Sequence, residues 1–112
     1  MFIELPKLIS DFVQAKNNHD SDAVTAYFAD NAVVYDEGEE ICGPIAIKKW
    51  LDIVNEKYKV TLEAIQFVRK DNEMVLTVQV SGNFEGSPIP LDYHLTISDD
   101  KISTLSIRLA GE

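Results

Sequence analysis

A single cysteine, Cys42, excludes a disulfide within the chain, and it is read as inert packing, not as a nucleophile. Basic residues are scarce: ten Lys and Arg stand against nineteen Asp and Glu, for a net charge of −9. That balance repels phosphate backbones and excludes nucleic acid as a partner. Short acidic runs such as Asp36, Glu37, Glu39 and Glu40 read as solvated surface. No apolar run approaches the roughly 20 residues of a spanning helix, so no membrane partner is expected. The opening MFIELPKLISDF lacks the small-residue cleavage pattern of a signal peptide, which makes the cytoplasm the expected location. Glycine-rich phosphate loops and nucleophile elbows are absent from the sequence. His19 and His94 each lack a second ligand at metal-binding spacing, so neither a metal nor a cofactor is expected.

What remains is a chain of 112 residues, 46% hydrophobic, long enough to bury a core and short enough to be read as one domain over 1–112. Leu5, Leu8, Ile9, Phe12 and Val13 recur at helical spacing behind Pro6, which predicts a helix over about 5–16. Asn17, Asn18 and His19 end it, and Asp20 or Ser21 can cap a second short helix through Phe28. Residues 32–36 are predicted as a strand and 37–43 as a polar loop. Pro44 opens a third helix to about Lys57, with Ile47, Trp50, Leu51 and Val54 as its apolar stripe. From Val60 the period changes to two, and four strands are predicted over 60–69, 74–84, 89–98 and 102–109. In the second of these, Met74, Leu76, Val78, Val80 and Phe84 share one face, so one side of the sheet is buried. Such an order implies an α+β fold, a curved antiparallel sheet packed against three helices on one side.

The order of elements, together with YFADNAVVYDEGEEICGPIAIKKWL from Tyr27 to Leu51, resembles the nuclear transport factor 2-like superfamily, which includes ketosteroid isomerases and SnoaL-type polyketide cyclases. The resemblance covers nearly the whole chain and implies a cone-shaped, cystatin-like α+β roll around an apolar pocket. It implies two functions of different kinds. One is a small-molecule-binding pocket protein, isomerase- or cyclase-like, that transfers a proton next to a carbonyl; the other is a non-catalytic dimeric ligand-binding or adaptor domain. Both imply a homodimer joined through the outer sheet face, and the first an apolar small-molecule ligand.

Asp36 falls where the isomerases carry the aspartate that moves a proton between carbons; its bland reading is a strand-end carboxylate in water. Ala32, Val34 and Asp36 share a strand face, and the two apolar members mark it as the inner one. The tyrosine of the isomerases' first helix corresponds to Phe12, so that hydroxyl is missing. Two registers compete for the second hydrogen-bond donor. One turns Asp92, His94 and Thr96 inward; the other turns in Tyr93, Leu95 and Ile97. Burial of the apolar row, worth roughly 1.5–3 kcal/mol per large side chain, favours Tyr93. The resemblance thus implies Asp36 and Tyr93 as catalytic residues, with Asp92 the alternative, and Phe12, Phe28, Val34, Trp50, Val54 and Leu95 as the apolar wall.

Overall fold

The computed structural model describes residues 4–110. Helix α1 (Lys7–Asn17) begins after Pro6 and buries Ile9, Phe12, Ala15 and Lys16. Its breakers also act as ties. The Asn17 side chain donates to the Leu62 carbonyl at 2.9 Å and accepts from the Leu62 N–H at 2.6 Å, while His19 Nε2 lies 2.8 Å from the Val60 carbonyl oxygen. The turn between the first two helices is thereby pinned to the sheet. Helix α2 (Ser21–Ala26) is capped by Asp20, whose carboxylate accepts from the Ala23 N–H, and ends one residue short of Tyr27. Phe28 is therefore the first residue of a strand, not the end of the helix.

That strand, β1 (Phe28–Asp36), pairs with β2 (Glu39–Cys42) across a two-residue turn in which Glu37 and Gly38 both have positive φ. Such a turn matches the twist of a tight hairpin. The expected polar loop over 37–43 is thus half strand. Cys42 is exposed there, contrary to its reading as packing. Helix α3 (Gly43–Tyr58) follows, with Pro44 in its first turn and a left-handed Lys59 closing it.

β3 (Thr61–Lys70), β4 (Glu73–Ser81), β5 (Ile89–Ser98) and β6 (Lys101–Leu109) form the predicted meander. The sheet order is β2-β1-β6-β5-β4-β3. Every neighbouring pair is antiparallel except β1 and β6, which run parallel. Register shifts within β1, between Ala64 and Gln66, and between Thr96 and Ile97 add twist where the sheet curves. The inner face carries Ala32, Val34, Leu76, Val78, Tyr93, Leu95 and Leu105, which are buried with Ile47 and Leu51 of α3. Thr77, Asp92, His94 and Ser106 are paired on the opposite face.

β4 stops at Ser81 because the chain must squeeze past α3. A Cβ at Gly82 would stand 2.7 Å from the Tyr58 carbonyl oxygen, so only glycine fits. No helix among the described residues is long and apolar enough to cross a membrane.

Candidate functional site

Period-two alternation carries Ala32, Val34 and Asp36 to the inner face, and Asp36, at the end of β1, is half-buried. Burial and the neighbouring Glu37 push its pKa above the usual carboxylate value, while the Trp50 indole N–H and Lys16 pull it back. Tyr93 comes from the centre of β5. It is buried, with its ring 6.4 Å from Phe12 in an edge-on contact, and Phe12 meets Phe28 in the same manner at 6.1 Å. Burial, assisted by the charge of Asp36, raises the pKa of the Tyr93 phenol, which keeps its proton across the physiological range.

The residue that the sequence reading missed is Lys16. It is the one buried charged side chain among the described residues, with 4% of its surface exposed. Its ammonium sits 5.6 Å from the centre of the Trp50 ring and makes no ion pair with a described residue. Burial depresses its pKa to about 8, against a smaller opposing pull from Asp36. A signal existed: Lys16 lies four residues beyond Phe12 and seven beyond Ile9, on the stripe that faces the core.

The structure therefore draws Lys16, Asp36, Trp50 and Tyr93 into one electrostatically coupled group and sets Phe12 and Phe28 against it. Lys16 and Tyr93 are buried and Asp36 and Trp50 only partly so, and the cluster runs from the interior toward solvent. Val34 and Leu95 are wholly buried core, and Val54 is partly buried against it. Asp92 is excluded from this group: it faces the other side of the sheet and accepts a 2.6 Å hydrogen bond from the Thr77 hydroxyl. His94 shares that outer face, with Nδ1 2.9 Å from Glu73.

A buried cation, a half-buried carboxylate and a neutral phenol can bind the polar end of an otherwise apolar molecule. They can also exchange a proton with it, because the carboxylate is basic and the other two groups can face negative charge.

A helix-backed, curved sheet of this topology is the nuclear transport factor 2-like scaffold, also described as a cystatin-like fold. The family profile described as a SnoaL-like domain matches residues 9–104, and the chain belongs to that family. A candidate polyketide cyclase from Sinorhizobium meliloti is 33% identical over 93% of this chain and 95% of its own, with a TM-score of 0.89. A second candidate polyketide cyclase, from Xanthomonas campestris, is 22% identical over 89% and 85% of the two chains, with a TM-score of 0.78. A protein of ketosteroid isomerase-like fold from Catenulispora acidiphila, solved in complex with trimethylamine, shares the fold at 16% identity, 96% and 88% coverage and a TM-score of 0.85. No curated protein matches the chain.

Proposed function

We propose that this protein binds a small apolar carbonyl compound and moves a proton at the carbon next to the carbonyl, as an isomerase- or cyclase-like enzyme. The observation that carries this reading is the convergence of Lys16, Asp36 and Tyr93 in a cluster walled by aromatic side chains. Asp36 is the base: its carboxylate, made more basic by burial, takes the proton from carbon. The electrons released move onto the carbonyl oxygen, which faces the Tyr93 hydroxyl and the Lys16 ammonium. Tyr93 stays protonated and donates; Lys16 supplies charge. Phe12 and Phe28 keep the apolar body of the ligand out of water. The similarity to a candidate polyketide cyclase supports carbonyl chemistry over a purely structural role.

The test is hydrogen exchange. Ketones of increasing apolar bulk are incubated in deuterium oxide, and deuterium uptake at the α-carbon is followed by NMR. Wild type should accelerate uptake for a subset of them, and Asp36→Asn should lose about 10²–10⁴ in rate while remaining folded. Equal uptake by the two proteins removes Asp36 from the chemistry.

The proposal includes a homodimer through the outer sheet face. A hollow of about 400 Å³ there is lined by Tyr35, Glu73, His94, Thr104, Ser106 and Arg108. His94 Nε2 is buried without a hydrogen-bond partner among the described residues, so a second copy would find an acceptor or donor to complete. Sedimentation equilibrium at micromolar concentration should return twice 12.6 kDa; a monomer mass overturns this assembly.

A further inference from the structure

Lys16 and Asp36 carry opposite charges and each alters the other's hold on its proton, yet no ion pair joins them among the described residues. Opposite charges attract strongly away from bulk water, and the flexible stem of a lysine can close a gap. Something holds this pair open. The side chain that meets both is Trp50 of α3: its indole N–H donates to the Asp36 carboxylate, and the Lys16 ammonium stands over its ring, 5.6 Å from the centre. An indole donates in the plane of its ring and attracts cations at its face, perpendicular to that plane. A rigid ring that offers its edge to the carboxylate and its face to the ammonium keeps the two charges apart. Trp50 is anchored for this role, because it packs partly buried against the core between Ile47 and Leu51, which are themselves buried in it.

We propose that Trp50 is a positioning residue that separates Lys16 from Asp36 and so keeps Asp36 a base, a role that rests on reading Asp36 as the proton acceptor of this site. A carboxylate clasped by an ammonium is a weak base, since the contact favours its charged form. A carboxylate held through one oxygen by an indole N–H keeps the lone pairs of the other oxygen free, in a fixed direction. The role requires no movement of buried Lys16 and no contact between it and a ligand. The other charged groups that act on Asp36 are Glu37 and Glu39, its neighbours in the β1–β2 hairpin, and both raise its pKa; Tyr93, which faces it from β5, keeps its proton.

The experiment compares replacements of Trp50, with the Asp36 carboxyl titrated by carbon-detected NMR and folding checked by thermal melts. Trp50→Phe keeps an aromatic face for Lys16 and removes the N–H, so the Asp36 midpoint should rise. Trp50→Leu removes face and N–H together. Lys16 should then close on Asp36 and the Asp36 midpoint should fall below that of wild type, while Lys16, followed by nitrogen NMR, should titrate above about 8. Adding Lys16→Met to Trp50→Leu should abolish the fall. Trp50→Met, which also lacks a face and an N–H, takes the place of the leucine variant if that one unfolds.

A midpoint that rises alike in Trp50→Phe and Trp50→Leu makes Trp50 a plain hydrogen-bond donor and overturns the proposal, as does a fall that persists without Lys16. Ketone deuteration distinguishes this role from the reaction it rests on. Exchange that Trp50→Leu slows by about 10-fold or more supports both, and exchange as fast in Trp50→Leu as in wild type overturns the positioning role. An absence of exchange in wild type sinks the proton transfer, whereas opposite shifts of the Asp36 midpoint in the two variants still establish that Trp50 holds the charges apart.

Discussion

Replacing Lys16 with methionine should make this protein more stable, and the gain should disappear as the pH rises. Methionine keeps a flexible stem of similar reach in the space beside Trp50 but carries no charge into the core. The gap between an ordinary lysine at 10.5 and about 8 in the fold corresponds to about 3 kcal/mol at 1.36 kcal/mol per pH unit. Because the unfolded chain holds the Lys16 proton more tightly than the native state, the native penalty is fully present below about pH 8. It is relieved as pH rises toward 10.5. By the same relation about 1.4 kcal/mol of it remains at pH 9.5. Losing the attraction between Lys16 and Asp36 takes back part of the benefit, which leaves about 1–3 kcal/mol at pH 6. For a domain of this length that raises the melting temperature by about 4–12 °C. Paired thermal melts of wild type and Lys16→Met at pH 6 and pH 9.5, followed by circular dichroism, measure both quantities. A variant no more stable than wild type at pH 6, or a gain that is the same at the two pH values, would refute the reasoning.

Asp36 should titrate above the ordinary 3.8 of an aspartate when followed by carbon-detected NMR, and higher still in Lys16→Met; a midpoint at or below 3.8 contradicts it. Since the native state holds that proton longer than the unfolded chain, Asp36 favours the fold at low pH, and this contribution is lost as pH rises through its native midpoint. Gly82→Ala should cost about 1–3 kcal/mol in urea denaturation, because the new Cβ meets a backbone carbonyl that already accepts a 2.7 Å hydrogen bond from Asn83; an unchanged midpoint removes the clash.

Alternation in β4 and β5 was legible because one face of each strand is buried and the other is not, and the same contrast put Tyr93 inside and Asp92 outside. β2 was not legible. An edge strand largely exposed on both faces carries no alternation, and its acidic residues resemble a loop. The pairing of β1 with β6 was beyond local pattern altogether, since it joins segments far apart in the chain. At the site, Asp36 and Phe12 stood on legible faces, one by period two and the other by period 3.6. Lys16 lay on the same helical stripe as Phe12, but a lysine at the end of an apolar stripe usually snorkels, and only the position of Trp50 above it reveals that it does not.

The parallel seam has a consequence for synthesis. Lys101 reaches the carbonyl of Ala26, 75 residues earlier, and Phe28 pairs with Ile102, so β1 lacks its central neighbour until β6 exists. On the ribosome α1, α2, β1, β2 and α3 emerge first, as an amphipathic hairpin and helices with no sheet to cover them. The meander from β3 to β6 is local and can zip by itself, but it then has to close a long loop to dock β1. Nascent chains stalled before β6 should therefore expose Val34 and Ile47 and recruit holding chaperones, whereas chains released after it should shed them.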